Sequence, residues 1–306
     1  MHHVCYNKAM NRTSLFRCFL LTLPLLLLSG CLTPSPFQNA PCVWEEHFDG
    51  TALDRKIWTP ETDFVRNIDA AQIYKDRPEN LRVADGSLQL TARHEYAENS
   101  RYDATSPNWL LNRKSADYTS GSVNSQGKLE FRYGRLEIRA RIEHGTGVWP
   151  ALWLIGSRRG WPDCGEIDIL EYISQTPDRA HATFHFSQNG AYIHPTDSTI
   201  CKTLDGDWHL YGMDWTPERI VLTLDGQPVN TLELDQATSA DGSNPFRDLT
   251  FFLILNQAID GWSETPNPQD YPKTFRIDSI RLWQNPNIPG TVLLRADCPP
   301  SATFQK

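Results

Sequence analysis

The 306-residue sequence lacks several features that define common protein classes. It has no internal repeat and no low-complexity tract, which excludes solenoid and largely disordered architectures. No segment carries the apolar periodicity of a long amphipathic helix, which excludes a helical bundle. Basic residues are outnumbered by acidic ones, 29 against 37, so the formal net charge is −8. This balance argues against nucleic acid or anionic lipid as a partner.

The first 30 residues have the pattern of a secretory signal. Basic residues precede an apolar run over 19–28 that is too short to span a bilayer. The run ends in Leu28-Ser29-Gly30-Cys31, which resembles a bacterial lipobox, so we expect cleavage before Cys31 and lipidation of that cysteine. The alternative is simple secretory cleavage. Residues 31–41 would form a Pro-rich tether, and Leu32 favours the outer membrane of the bacterial envelope, at its periplasmic face or the cell surface.

Four cysteines remain in the exported chain: Cys42, Cys164, Cys201 and Cys298. An oxidising compartment allows three pairings among them. We predict a Cys42–Cys298 disulfide that joins the ends of the domain, and a Cys164–Cys201 disulfide that fixes the loop before an acidic stretch. A metal site is the alternative, which the lack of any Cys-x-x-Cys pair disfavours.

Short strands are the dominant pattern in the rest of the chain. Proline and glycine, 21 and 18 residues, interrupt runs of period-two alternation. Asp85-Gly86 lies between two such runs and predicts a hairpin, and Asp225-Gly226 marks a second turn. Residues 97–117 are polar and without pattern, which predicts a loop. The pattern predicts one all-β domain, a sandwich or jelly roll.

One acidic stretch, Glu166-Ile167-Asp168-Ile169-Leu170-Glu171, has no Lys or Arg in it. Alternation places Glu166 and Asp168 on one strand face, but period two would place Glu171 on the opposite face. A β-bulge near Ile169-Leu170, with Leu170 as the extra residue, would return Glu171 to the first face. Three carboxylates in a row suit glycoside hydrolysis, which needs a protonated acid beside an ionised carboxylate. The alternative is a solvated polar strand face.

The stretch and its flanks resemble glycoside hydrolase family 16. The acids match the Glu-x-Asp-x-x-Glu motif of its laminarinase, agarase and carrageenase branches; Gly147-Val148-Trp149-Pro150-Ala151-Leu152-Trp153 and Gly160-Trp161-Pro162-Asp163-Cys164 match its flanks. The resemblance covers about 43–285 and implies a concanavalin-like β-jelly-roll sandwich of two antiparallel sheets with a concave substrate cleft. It divides the chain into a signal peptide (1–30), a tether (31–41), a catalytic domain (42–285) and a C-terminal extension (286–306).

The resemblance also implies roles for individual residues. Glu166 matches the nucleophile, Glu171 the acid/base and Asp168 the residue that assists between them, with the bulge setting the carboxyl spacing. The predicted substrate-binding residues are Trp149, Trp153, Trp161, His185, Asn256 and Trp262. Core packing is the alternative for Trp153 and for His185. The family's Asn-Leu-Ala-Val-Gly-Gly stretch reads Asn256-Gln257-Ala258-Ile259-Asp260-Gly261-Trp262 here, so the chain departs from the pattern at that end of the cleft.

Catalysis of this kind needs no cofactor, but many family members bind a structural calcium ion. The matching positions are Glu46, the backbone carbonyl of Gly86, and Asp278. Oxygen ligands of this type suit a hard cation.

Together these features predict a retaining endo-glycoside hydrolase that cleaves β-1,3-glucan of the laminarin type. Alternatives are a mixed-linkage β-glucanase, an agarase- or carrageenase-type galactanase, a transglycosylase, and a non-catalytic carbohydrate-binding lipoprotein. The expected partner is a β-glucan polysaccharide, with no nucleic acid. We expect a monomer that meets the membrane only through its lipid anchor.

Overall fold

A computed structural model of the protein describes residues 35–67, 69–288, 290 and 292–295. The predicted signal peptide, the lipidation site Cys31 and the disulfide partner Cys298 lie outside these residues. No helix in the described ranges is long and apolar enough to cross a membrane.

Strands account for most of the regular structure, and the helices are single turns. The strands are β1 (Cys42–Glu46), β2 (Thr59–Pro60), β3 (Gln72–Tyr74), β4 (Leu81–Ala84), β5 (Ser87–Glu98), β6 (Ser115–Ser120), β7 (Ser122–Asn124), β8 (Leu129–Arg132), β9 (Gly134–Arg141), β10 (Val148–Gly156), β11 (Glu166–Tyr172), β12 (Arg179–Gln188), β13 (Ala191–Ile193), β14 (Thr196–Ile200), β15 (Trp208–Trp215), β16 (Arg219–Leu224), β17 (Gln227–Glu233), β18 (Phe251–Ile259), β19 (Lys273–Trp283) and β20 (Val292–Arg295). The α-helices are α1 (Trp109–Asn112) and α2 (Pro245–Asp248), and 3-10 turns cover Leu234–Ala237 and Pro268–Asp270.

The strands form two sheets. The first has the order β17-β16-β15-β9-β19-β5-β6-β3, with β1 paired to β19 and β4 to β5. The second has the order β13-β12-β11-β10-β18-β7-β2, with β14 on β12 and with β8 pairing β18 and β20. These strand pairs are antiparallel apart from β3 with β6. The predicted jelly-roll sandwich of two sheets is confirmed.

Aromatic side chains fill the core between the sheets. Trp215 of β15 contacts Phe131 of β8 edge-on at 6.2 Å between ring centroids, and Phe251 of β18 at 5.2 Å. All three side chains are fully buried. Since β15 belongs to the first sheet and the other two strands to the second, these contacts join the two layers.

The hairpin turns follow the sequence signals. Asp85 and Gly86 both have positive φ, 54° and 65°, and Asp225 and Gly226 have 49° and 76°. Two consecutive positive φ angles define the type I′ turn that Asp-Gly favours. The predicted loop over 97–117 is shorter than expected, because β5 continues to Glu98, α1 forms within the loop, and β6 begins at Ser115.

The predicted Cys164–Cys201 disulfide is wrong. The structure contains no bond between these residues, and Cys164 is buried in the core whereas Cys201 is partly exposed. Strand register gives the reason, because Glu166 pairs with His185 at one end of β12 and Ile200 pairs with Arg179 at the other. Six strand residues separate the two ends by about 20 Å, whereas a disulfide needs Cα atoms within about 7 Å.

Contacts with the domain continue beyond the predicted boundaries at 42 and 285. In the predicted tether, the Phe37 side chain is 1% exposed, and Asn285 Nδ2 donates a hydrogen bond to the Pro36 carbonyl at 2.9 Å. In the predicted extension, β20 pairs with β8. Part of the tether therefore packs on the domain, and part of the extension completes a sheet.

Candidate active site

The acidic stretch forms β11, and the predicted bulge is present. Against β10, Glu166 pairs with Ile155, Asp168 with Trp153 and Glu171 with Ala151. Five steps along β11 therefore match four steps along β10. The residue without a β10 partner is Ile169, so the expectation that Leu170 is the extra residue was wrong by one position. Because of the bulge, the six-residue motif spans the same length of strand as a regular five-residue motif, and the three acids stay on one face.

All three acids line one cavity of about 560 Å³ on the face of the second sheet. The cavity crosses β12, β11, β10 and β18, and residues 65–67 together with β3 close one side of it. All the predicted substrate-binding residues except Trp161 line it as well: Trp149, Trp153, His185, Asn256 and Trp262. Thus strand register brings together residues that lie more than a hundred positions apart in the chain.

Tryptophan indoles donate hydrogen bonds to both outer acids. Trp161 Nε1 donates to Glu166 Oε2 at 2.7 Å, and Trp149 Nε1 donates to Glu171 Oε1 at 3.2 Å. Glu166 is 3% exposed, so the bond from Trp161 satisfies a buried carboxylate oxygen. Trp161 therefore contacts Glu166 through its indole N–H group, although it does not line the cavity.

The central acid contacts a cluster of rings. His185 Nε2 lies 2.9 Å from Asp168 Oδ2, and His185 Nδ1 lies 2.6 Å from the Tyr192 hydroxyl. Tyr192 stacks on His194 at 4.9 Å between centroids and contacts Trp161 at 5.0 Å. The imidazole is thus fixed on both nitrogens, which determines its orientation toward Asp168.

The cavity floor is a hydrogen-bonded layer. Trp153 Nε1 donates to Asn256 Oδ1 at 2.7 Å, and Asn256 Nδ2 donates to the Tyr74 hydroxyl at 3.3 Å. Trp153 and Asn256 are each 6% exposed, so only a small part of each side chain is accessible to a ligand. Burial raises the pKa of Tyr74, which keeps its hydroxyl neutral.

A buried cation forms part of the wall. Arg66 makes a bidentate pair with Glu61, and its guanidinium lies 5.2 Å from the centroid of the Trp153 ring. Burial would lower the pKa of Arg66, but the negative charge of Glu61 and its hydrogen bond raise it overall, with a smaller contribution from Glu166. Arg66 therefore supplies a permanent positive charge beside the acids.

The end of the cleft that departs from the family pattern carries an exposed Trp262. Its ring meets Trp149 at 6.3 Å and 79°, and His181 at 4.9 Å and 61°. Gly261 has φ +70°, and a Cβ there would lie 2.6 Å from Trp149 Cζ3. Only glycine fits this position without displacing the Trp149 ring. Beyond it, a cavity of about 490 Å³ continues the cleft between Trp149, Trp262 and Trp109.

Sequence reasoning missed several cavity residues, and for one of them a signal existed. In β12, His181, Thr183 and His185 alternate with buried Ala182, Phe184 and Phe186, so the period-two pattern places Thr183 beside His185. Tyr74, Arg66 and His194, and Tyr192 behind His185, come from short strands and loops, where no period exists.

The predicted calcium ligands lie along one edge of β19. Glu46 pairs with Ile280, and Leu88, two residues after Gly86, pairs with Ile277. Glu46 Oε1 accepts from the backbone N–H groups of His47 and Phe48. Asp278 Oδ2 lies 3.2 Å from Arg139 Nη1, so the structure already gives this carboxylate a partner, although two carboxylates and a carbonyl are donor types that suit Ca²⁺. Calcium binding remains a prediction.

An open groove with three carboxylates in a row and indole walls is the arrangement expected of a glycoside hydrolase. Comparison with known proteins gives the family. The model of Glycosyl hydrolases family 16 matches residues 71–265, and the chain belongs to this family.

Two curated relatives and one solved structure are similar to the chain. Glucan endo-1,3-beta-glucosidase A1 of Niallia circulans is 32% identical over 83% of the chain, which spans 39% of that protein's length. The Beta-glucanase of Rhodothermus marinus is 32% identical over 91% of the chain and 96% of its own length. A structure described with endo-acting O-glycanases that initiate mucin breakdown in the human gut microbiota is 38% identical, with a TM-score of 0.77 over 81% of the chain and 92% of its own.

Proposed function

We propose that the protein is a retaining endo-hydrolase of β-1,3-glucan. The observation that carries this proposal is the bulged β11, which holds Glu166, Asp168 and Glu171 in one row inside an open cleft. The relative from Niallia circulans, named as a glucan endo-1,3-beta-glucosidase, supports the substrate.

In the proposed mechanism, Glu166 attacks the anomeric carbon and forms a glycosyl-enzyme ester while the glycosidic C–O bond breaks. Glu171 donates its proton to the leaving oxygen. Glu171 then removes a proton from water, which attacks the same carbon and releases Glu166. This double displacement requires the two carboxyls to lie about 5–5.5 Å apart. Asp168, fixed by His185, is the proposed residue that assists between the two glutamates.

The test of the mechanism is Glu166→Gln. We expect hydrolysis to be lost while oligosaccharide affinity stays within about threefold, because the amide is isosteric but cannot form the ester. Asp163→Asn is the matched control, since this exposed carboxylate lies just before β11 and outside the cavity. NMR of the first product should show the β-anomer. Turnover by Glu166→Gln near the wild-type rate, or a first-formed α-anomer, would contradict the mechanism.

A second substrate class has a specific observation in its favour. The O-glycanase structure shares more identity with the chain, 38%, than either glucanase named above. We infer that galactose-containing glycans, including mucin O-glycans, are the alternative substrate. Product sizing on laminarin, lichenan, agarose and mucin O-glycans separates the two. Oligosaccharides from laminarin alone support the glucanase; products from mucin O-glycans alone overturn it.

Product sizing also tests the two remaining alternatives, a non-catalytic binding protein and a transglycosylase. A binding protein would retain glycan affinity but release no reducing ends, whereas the placement of all three acids in the cavity supports catalysis. A transglycosylase would form products longer than its donor when an acceptor sugar is added.

We also propose export and lipid anchoring at Cys31, supported by the lipobox-like Leu28-Ser29-Gly30-Cys31. Metabolic labelling with a fatty-acid analogue should mark the wild type and leave Cys31→Ser unlabelled. Label on the variant would contradict this site. The Cys42–Cys298 pairing, the monomeric state and the calcium site remain predictions beside it.

A further inference from the structure

A cluster of metal-ligating side chains lies away from the catalytic cleft. Cys201 follows β14 of the second sheet, His209 belongs to β15 of the first, and Asp225 lies in the turn between β16 and β17. The thiol, imidazole and carboxylate ligand atoms all lie within 4.8 Å of one another. None of the proposed steps in hydrolysis uses these residues.

The distances are close to those of a tetrahedral metal site. Cys201 Sγ lies 3.9 Å from His209 Nδ1, and Asp225 Oδ2 lies 2.7 Å from the same nitrogen. Zinc bond lengths place neighbouring ligand atoms about 3.3–3.6 Å apart. Closing the sulfur–nitrogen distance and opening the oxygen–nitrogen distance by about half an ångström each would admit the ion, a change within reach of side-chain rotation.

The groups around the cluster hold two of the ligands in place. His209 Nε2 donates to the Thr203 carbonyl at 2.9 Å, which leaves Nδ1 facing Asp225 Oδ2, while Cys201 Sγ lies 3.9 Å from both ring nitrogens. Asp225 Oδ1 accepts from the Leu210 backbone N–H at 2.9 Å, which directs Oδ2 toward His209. Hydrogen bonds of this kind orient ligands in known metal sites.

The backbone around the cysteine is also fixed. The Cys201 N–H donates to the Asp178 carbonyl at 2.7 Å, and the Cys201 carbonyl accepts from Leu204 N at 3.0 Å. His209 is 6% exposed, whereas the Asp225 side chain is 48% exposed. An ion could therefore enter from the Asp225 side and reach a ligand set whose backbone is already ordered.

We propose that Cys201, His209 and Asp225 bind a divalent transition-metal ion of the zinc class, with solvent as the fourth ligand. The mixed sulfur, nitrogen and oxygen set suits Zn²⁺ and disfavours Ca²⁺ and Mg²⁺. Thiolate and carboxylate together neutralise the charge of the ion. Because the ligands come from both sheets, the ion links them at one end of the sandwich and stabilises the fold.

The test must separate this site from the active site, where Glu166, Asp168 and His185 also bring three possible ligands together. Cobalt(II) is the probe, because a thiolate ligand gives it an intense near-ultraviolet charge-transfer band that carboxylate and imidazole ligands do not. The full mature protein, kept reduced with a reagent that does not bind metal, is titrated with Co²⁺ and then with Zn²⁺.

We expect one equivalent of Co²⁺ to produce the band, Zn²⁺ to displace it, and Zn²⁺ to raise the melting temperature. Cys201→Ser should abolish the band, and Asp225→Asn should weaken Zn²⁺ binding at least tenfold while keeping the acceptor for Leu210. Glu166→Gln and Cys42→Ser, the matched controls, should leave the band intact. No band in the wild type, a band that persists in Cys201→Ser, or its loss in Cys42→Ser would overturn the proposal, whatever the glycan assays show.

Discussion

The buried ion pair behind the cleft allows a quantitative prediction. Glu61 accepts hydrogen bonds from both terminal nitrogens of Arg66, from Ser122 Oγ at 2.5 Å and from Asn124 Nδ2 at 3.0 Å. The Arg66 and Glu61 side chains are only 13% and 11% exposed. Glu61→Gln keeps the shape of the side chain but removes the charge, which leaves a buried guanidinium without its counter-ion.

Removing one partner of a buried ion pair costs about 3–5 kcal/mol, a large share of a typical domain stability of about 5–15 kcal/mol. We expect Glu61→Gln to lower the free energy of unfolding by that amount in urea titrations at neutral pH. Glu233→Gln is the matched control. Its pair with Arg219 spans 3.9 Å with both side chains about half exposed, so it should cost less than about 1 kcal/mol. Equal losses in the two variants would refute the reasoning.

The pH dependence has a definite sign. Burial alone would raise the pKa of Glu61, but Arg66 and the hydrogen bonds hold it below its ordinary value of 4.5. A carboxyl whose pKa is lowered by folding adds stability above its unfolded pKa, and loses it as the pH falls through the folded value. The difference in the free energy of unfolding between wild type and Glu61→Gln should therefore be constant above pH 4.5 and shrink below it. A difference that grows in acid would contradict this.

The pair can also be replaced as a unit. Exchanging a buried ion pair for apolar residues of similar size is often neutral, so Glu61→Leu with Arg66→Met should recover most of the stability that either single change loses. Because Arg66 lines the catalytic cavity, the double variant should still show a changed KM. The free energy of unfolding therefore reports on Arg66 as a partner of Glu61, and KM reports on Arg66 as part of the cavity wall.

Three further predictions follow from single contacts. Tyr192→Phe removes the bond to His185 and should lower kcat about fivefold, the equivalent of one hydrogen bond, with a shifted pH–rate profile and an unchanged KM; a change in KM alone would contradict it. Phe37→Ala should lower the free energy of unfolding by about 3–5 kcal/mol in urea, as buried phenylalanines do; a loss under 1 kcal/mol would show that the segment is not docked. Calcium should raise the melting temperature of the wild type but not of Asp278→Asn, measured by thermal shift against EDTA; equal shifts would exclude the site.

Local patterns in the sequence predict part of this protein well. The alternation of polar and apolar residues predicts the sheets, and the one break in alternation predicts the bulge that places Glu171 beside Asp168. Both depend on neighbouring residues alone, since the alternation of side chains along a strand is a local property. The Asp-Gly turns are also predictable from neighbouring residues, because the required positive φ angles are set within two residues.

Other features depend on contacts between distant segments and could not be predicted from the sequence. Arg66 enters the cavity because its ion-pair partner Glu61 is held on β7 by a backbone hydrogen bond to Ser122. The Cys164–Cys201 disulfide failed for the same reason, since only the register of β12 shows that the two residues lie at opposite ends of the sheet. The cluster of Cys201, His209 and Asp225 joins three separate turns and strands, and no spacing in the sequence marks it.

Catalysis and substrate choice therefore depend on different parts of the structure. The acids and their bulge lie on one strand, and the two indoles that bind the outer acids are fixed close to it. The walls that meet the next sugars come from loops, among which Gly261 is decisive: its positive φ and missing Cβ let Trp149 and Trp262 meet at an angle across the cleft. A side chain at position 261 would move Trp149 and with it the hydrogen bond to Glu171. The departure from the family pattern at Asp260-Gly261-Trp262 thus couples the shape of the cleft to the proposed acid/base Glu171, and we expect substitutions in this loop to change which glycan is cleaved.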